Sequence, residues 1–150
     1  MKFTDKQIKE IAESIDFGSI YYANPETGEM EEFMEDDSID DFPEEIDDEM
    51  PGWEKEEMEE MKAKLDRIDA WEKFVIVRKP ESNEAFRFME DFVEEVIPES
   101  EQKMYWKALN RRGPFANFKD LINDSEYRED WFRFKEQKMM EYVREELGVR

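Results

Sequence analysis

Apolar residues near the start of the chain recur at helical spacing and predict a first helix over residues 4–15. The residues predicted to face inward are Ile8, Ile11, Ala12 and Ile15. Thr4 and Gln7 have the spacing of a capping box, in which each side chain accepts a hydrogen bond from the backbone of the other residue. We therefore expect this helix to begin at Thr4.

Two further segments have the pattern of β-strands. Residues 19–34 predict a hairpin, because a strand-favouring run leads into the turn sequence Asn24-Pro25-Glu26-Thr27-Gly28. Residues 73–78, Lys-Phe-Val-Ile-Val-Arg, give the clearest strand signal in the chain. We expect a three-stranded antiparallel sheet in which the strand at 73–78 is central.

The remaining apolar pattern is helical. The predicted helices cover residues 53–70, 82–96, 100–112, 115–122 and 125–147. Serine is a favoured N-cap residue, so Ser82, Ser100 and Ser125 are predicted to cap three of them. The predicted fold class is α+β: a small three-stranded antiparallel sheet (hairpin 19–34 plus strand 73–78) packed by helices, with a helical C-terminal half.

The last predicted helix carries two adjacent apolar stripes. One stripe contains Tyr127, Trp131, Phe134 and Tyr142, and the other contains Phe132, Met139, Val143 and Leu147. Together they cover about half of the helix circumference, whereas a surface helix needs an apolar arc of only ~100°. We interpret this helix as part of the core; the alternative is a dimer or partner face that includes Trp131.

Composition excludes several kinds of chemistry. The chain contains no cysteine and no histidine, so the usual zinc sites, histidine-based triads and cysteine nucleophiles are excluded. It has five widely spaced glycines and no glycine-rich phosphate loop. We expect no catalytic residues, no cofactor and no metal site. A carboxylate- or metal-dependent enzyme is the least favoured alternative.

The length of 150 residues suits one domain with its own core, so we expect a single domain over residues 1–150. The first residues become polar at once, unlike a signal peptide. No apolar run approaches the ~20 residues that span a bilayer. These features predict a cytoplasmic protein that does not bind membranes.

Charge is distributed unevenly along the chain. The formal net charge is −21, and residues 26–60 contain nineteen acidic residues against one base, Lys55. We predict an acidic, extended or partly mobile connector at about 35–52. Phe33 and Phe42 lie among these acids and are candidate anchors for a basic protein partner. The favoured interpretation of the segment is a solubilising, mobile loop, and docking to a basic partner is the alternative.

A basic stripe occurs in the predicted helix at 100–112. Lys103, Lys107 and Arg111 are four residues apart and share one helical face, which Trp106 borders. A basic stripe beside an aromatic ring can bind phosphates and stack bases, so nucleic-acid association is one hypothesis. The high net negative charge favours a solvated face, or pairing with acids of the same chain.

Several motifs occur in a characteristic order. They are Tyr21-Tyr22 with Thr27-Gly28-Glu29, then Ser82 with Glu84-Ala85-Phe86-Arg87-Phe88-Met89-Glu90-Asp91-Phe92, Ala108-Leu109, Phe115 with Phe118-Lys119-Asp120, and Trp131-Phe132 with Phe134. In this order and spacing the chain resembles the bacterial uncharacterised protein family (UPF) 0158. The resemblance implies a small bacterial cytoplasmic protein with no assigned activity and no catalytic residues to carry over.

The sequence therefore predicts a non-enzymatic interaction or regulatory protein. We expect it to bind a protein partner or a second copy of itself, with nucleic acid as the less favoured partner. The candidate interaction residues are Phe33, Phe42, Lys103, Trp106, Lys107, Arg111, Arg112 and Trp131.

Overall fold

A computed structural model of the protein describes residues 3–34, 49 and 51–148. The chain divides into two compact units, one comprising residues 1–79 and 143–150 and the other residues 80–142. The expectation that residues 1–150 form a single domain stays a prediction. Most of the predicted acidic connector lies outside the described residues.

The α+β class and the three-stranded antiparallel sheet are confirmed. The first unit contains α1 (Asp5–Asp16), β1 (Ser19–Ala23), β2 (Met30–Met34), α2 (Gly52–Asp69) and β3 (Val75–Val77). The helical C-terminal half, also confirmed, contains α3 (Ser82–Glu95), α4 (Glu99–Leu109), α5 (Pro114–Asn123) and α6 (Arg128–Leu147). Helix α6 contributes residues to both units.

Helix α1 begins with the predicted capping box. The Thr4 hydroxyl accepts a hydrogen bond from the Gln7 backbone N–H at 3.1 Å, and the Gln7 side chain accepts one from the Thr4 N–H at 2.9 Å. A cap of this kind stabilises a helix by about 1 kcal/mol. The buried residues of α1 are the predicted ones, Ile8, Ile11, Ala12 and Ile15.

The hairpin also forms as predicted. Strands β1 and β2 pair in antiparallel register from Ser19 opposite Met34 to Ala23 opposite Met30. In the turn, Gly28 adopts a φ of 83°, a conformation that favours glycine, and its N–H donates to the Asn24 carbonyl at 2.9 Å. The turn sequence therefore sets the register of the two strands.

The central position predicted for the third strand is wrong. The strand order is β2-β1-β3, so β1 is central, and β3 covers three residues rather than the predicted six. The apolar run at 73–78 had predicted a central strand. In the structure Val77 is fully buried, while Phe74 and Ile76 are each almost half exposed. One face of this edge strand is therefore open.

Helix α2 contacts strand β2 mainly through charged side chains. The Lys64 ammonium donates to the Glu32 carbonyl at 2.7 Å and lies 5.3 Å from the centroid of the Phe33 ring. Arg67 forms an ion pair with Glu31. These contacts cover Phe33, whose side chain is 2 % exposed.

The hydroxyl of Tyr21, a residue buried on β1, donates to the Glu32 carboxylate. Burial, followed by this hydrogen bond, raises the pKa of Tyr21 from 10.0 to about 12. The folded-state pKa therefore lies above that of the unfolded chain. The contribution of the Tyr21 hydroxyl to the free energy of unfolding is therefore complete below pH 10. It is lost as the pH rises through about 12.

We expect Tyr21→Phe to flatten the pH dependence of stability between pH 10 and about 12. Urea denaturation across this range should show the wild-type free energy of unfolding falling more steeply than that of the variant. Tyr22→Phe, on the opposite face of β1, is the control and should keep the wild-type slope. Equal slopes for wild type and Tyr21→Phe would contradict the role of Tyr21.

The second unit is built around an aromatic cluster. Phe92 of α3 lies at its centre, and the Phe118 and Trp131 rings are 4.9 Å apart in edge-to-face contact. The buried members are Met89, Phe92, Val93, Ile97, Tyr105, Leu109, Phe118 and Ile122. Partly buried Trp131 and Phe134 of α6 pack against this cluster, so this part of α6 contributes to the core.

The predicted serine caps are wrong for α3 and α4. Glu81 and Pro98 occupy the N-cap positions, so Ser82 and Ser100 lie inside the first turns. The Pro98 carbonyl accepts the N–H groups of Glu101 and Gln102 and starts α4 without a side-chain cap. Ser125 lies three residues before α6.

Candidate functional site: a charged groove along α4 and α5

A tight turn joins α4 to α5 and fixes their arrangement. Gly113 adopts the left-handed conformation with a φ of 73°, and Pro114 begins α5 at a position where proline is favoured. The Asn117 side-chain amide donates to the carbonyls of Ala108 at 3.2 Å and of Arg112 at 3.1 Å. These bonds tie the start of α5 to the end of α4.

An open groove of about 750 Å³ runs along this helical hairpin. The basic side chains in its lining belong to α4 and the residues that follow it. Of its three acidic residues, Glu101 belongs to α4, and Asp120 and Asp124 belong to α5 and its C-cap. Apolar lining comes from Met104, Ala108 and Leu121. Met104 is 51 % exposed and presents apolar surface to a ligand.

Three basic residues are shared with a second groove of about 590 Å³. Lys103, Lys107 and Arg111, here called the cation row, line both grooves. The predicted convergence of these residues on one face is therefore correct. Helix α4 ends at Leu109, before the predicted end, but Arg111 still lies with the two lysines.

The cation row is exposed, and its members are unpaired among the described residues. Within residues 3–34, 49 and 51–148, none of Lys103, Lys107 and Arg111 makes an ion pair or a side-chain hydrogen bond. By contrast, Lys138 of the same unit lies 3.6 Å from the Asp91 carboxylate. The three charges of the row are therefore open to a ligand.

The other sequence-predicted residues near the row have partly structural roles. Trp106 lines the second groove, but it is half-buried, packs against the aromatic cluster, and directs its indole N–H to the Gln102 side-chain oxygen at 3.4 Å. Arg112 is exposed and belongs to the turn, where its carbonyl accepts from Asn117.

Two of the aromatic candidates, Phe33 and Trp131, have structural roles. Phe33, predicted as a candidate anchor for a basic partner, is 2 % exposed and lies beneath the Lys64 ammonium of α2, so its ring is not free to contact a partner. Trp131 packs into the cluster of the second unit, 5.3 Å from the Phe92 ring. Phe42 lies outside the described residues.

Sequence reasoning missed the acidic side of the groove. Asp120 and Asp124 are four residues apart, as the members of the cation row are, but the predicted helix stopped at residue 122. Their alignment with α4 depends on the packing of two helices, which no local pattern shows. Glu101, at one end of the groove, accepts a hydrogen bond from Tyr127, and this bond raises the pKa of the Tyr127 hydroxyl.

The groove contains charged side chains of both signs and apolar surface. These features suit the binding of a ligand. Over the described parts of the chain, no group of three or more Asp, Glu, His or Cys residues is placed to hold a metal ion. No helix among the described residues is both long enough and apolar enough to cross a bilayer.

The fold and the groove define a small α+β protein with a charged helical hairpin. Residues 29–149 match the sequence model of the Uncharacterised protein family (UPF0158), and the chain belongs to that family. The resemblance found in the motifs is thereby confirmed, and the family has no assigned function. Neither a curated protein nor a solved structure is significantly similar to the chain.

Proposed function

We propose that the protein is a non-enzymatic interaction protein whose α4–α5 groove binds a segment of a protein partner. The observation that carries this proposal is the cation row. Lys103, Lys107 and Arg111 line both grooves, and none has a partner among the described residues. Acidic side chains of the partner would pair with them.

The lining of the groove favours a protein over a nucleic acid. A phosphate backbone bound to the cation row within the α4–α5 groove would share the lining with Asp120 and Asp124, which repel it. Apolar surface from Met104 and Leu121 suits protein side chains better than a sugar-phosphate chain. The net charge of −21 disfavours phosphate binding further.

The expected energies also indicate a ligand that has apolar anchors. An exposed ion pair contributes about 0.2–1 kcal/mol, so the cation row supplies on the order of 1–3 kcal/mol. A micromolar dissociation constant requires about 8 kcal/mol. Apolar contacts with residues such as Met104 must therefore supply the larger share, as buried anchors do at other interfaces.

The test is capture of partners by the triple variant K103E/K107E/R111E. The tagged wild-type chain should retain one or more proteins from a nuclease-treated bacterial lysate, and the variant should lose at least about nine-tenths of them. The charge reversal replaces attraction with repulsion at each ion pair, and losing 1.4 kcal/mol already weakens binding tenfold. Quantitative mass spectrometry measures the loss.

A matched variant controls for the change in net charge. Lys6, Lys62 and Arg87 are exposed cations on other helices, so K6E/K62E/R87E makes the same change in charge away from the groove. It should retain the wild-type proteins. The same captured proteins with wild type and both variants would refute the proposal. Proteins captured from an untreated lysate but not from the nuclease-treated one would favour the nucleic-acid hypothesis, and capture of the chain itself would identify a homodimer.

A further inference from the structure

We infer that the α4–α5 groove recognises an amphipathic helix with an acidic flank and a basic flank. This inference rests on the proposed function and specifies the partner segment. The acidic flank would face the cation row, and the basic flank would face Asp120 and Asp124. The apolar stripe between the flanks would cover Met104 and Leu121.

The spacing of charges within the groove fits a helical ligand. Lys103 and Lys107 are four residues apart on α4, which is about 6 Å along the helix axis, and Arg111 follows four residues later in the turn after α4. Asp120 and Asp124 have the same separation. A ligand helix repeats its own flanking charges at four-residue intervals, so one helix can match both sides of the groove.

The chemistry of the lining also favours a helix over an extended strand. An extended peptide needs partners for its backbone N–H and C=O groups, whereas a helix satisfies these groups internally. The groove is lined by side chains along two helices rather than by an open strand edge. A third helix seated on such a hairpin is the helix-in-groove mode of recognition.

The acids of α5 distinguish this ligand from a uniformly acidic one. A helix with carboxylates on both flanks would bring one row against Asp120 and Asp124, and like charges in contact oppose binding. A ligand with lysines on that flank forms ion pairs there instead. The two acids therefore select for a mixed-charge ligand, although the cation row alone would favour the most acidic one.

Two designed peptides test this selection. Each has about 20 residues and a leucine stripe; one carries glutamate on one flank and lysine on the other, and the second carries glutamate on both flanks. Fluorescence anisotropy should show the wild-type protein binding the mixed peptide about tenfold more tightly. In D120N/D124N we expect this preference to fall below about threefold, because the repulsion is removed.

A second variant separates local from long-range charge effects. Glu94 and Glu141 are exposed carboxylates outside the groove, and E94Q/E141Q makes the same change in net charge as D120N/D124N. This control should keep the tenfold preference. Urea midpoints close to that of the wild type for both variants would show that they remain folded.

The possible failures are distinguishable. An equal preference in wild type, D120N/D124N and E94Q/E141Q would overturn the two-sided groove, as would tighter wild-type binding of the all-glutamate peptide. The proposed function would survive either result if K103E/K107E/R111E still lost its captured proteins. The absence of wild-type binding to both peptides would also overturn this inference, whereas unchanged protein capture by K103E/K107E/R111E would remove the proposed function.

Discussion

Replacing Phe92 with alanine should lower the free energy of unfolding by about 3–5 kcal/mol. Its side chain is fully buried, and its ring meets those of Phe118, Trp131 and Phe134 at centroid distances of 6.3, 5.3 and 5.3 Å. Truncation removes these contacts and leaves a cavity in the second unit. Since whole domains are stable by about 5–15 kcal/mol, the loss is a large share of the total. Urea denaturation followed by tryptophan fluorescence measures it.

The matched control is Phe132→Ala. Phe132 is one residue from Trp131 in the same helix, but it is almost half exposed and its ring contacts the Arg128 guanidinium at 5.2 Å. We expect this substitution to cost less than about 1 kcal/mol. Equal losses in Phe92→Ala and Phe132→Ala would show that the aromatic cluster is not the core of this unit.

Phe33→Ala should lower the free energy of unfolding by about 3 kcal/mol. The Phe33 side chain is 2 % exposed, lies edge-on to Tyr22 at 5.3 Å and is covered by Lys64. Removing the ring exposes the hairpin surface under α2. Far-ultraviolet circular dichroism during urea denaturation measures the change.

Phe17→Ala is the control for this second substitution. Phe17 belongs to the same unit but is 86 % exposed, so truncation should change stability by less than about 0.5 kcal/mol. An unchanged stability in Phe33→Ala, together with weaker capture of protein partners, would restore Phe33 as a docking anchor and contradict its structural role.

The elements that follow from local chemistry were predictable from the sequence. The capping box at Thr4 and Gln7 depends on residues three apart, and the turn at Asn24–Gly28 depends on five consecutive residues. In both places neighbouring residues supply the hydrogen bonds that stabilise the conformation. Tertiary packing did not override either preference.

Features that depend on distant contacts were not predictable. The run at 73–78 is apolar enough for a central strand, but β1 is central because it pairs with both β2 and β3. Helices α3 and α4 start without the serine caps because Glu81 and Pro98 occupy the N-cap positions. A strong strand or capping signal in the local sequence therefore did not determine where that segment lies in the sheet or where the helix begins.

The groove was predictable on one side only. The four-residue spacing of Lys103, Lys107 and Arg111 predicts a shared face, and Arg111 lines the groove with the two lysines although α4 ends at Leu109. Asp120 and Asp124 come from α5, and the turn at Gly113 determines how they meet α4. The acidic side therefore required the tertiary structure, and it changes the expected ligand from acidic to mixed in charge.

Site-specific photo-crosslinking tests the central claim, that a protein partner lies in the α4–α5 groove, most directly. A photoreactive phenylalanine in place of Met104, on the exposed apolar lining, should give a discrete, nuclease-resistant protein adduct in living cells. The same residue in place of exposed Phe17, far from the groove in sequence and in the other unit, should not give that adduct. No adduct from position 104, or one that nuclease removes, would contradict protein docking in the groove.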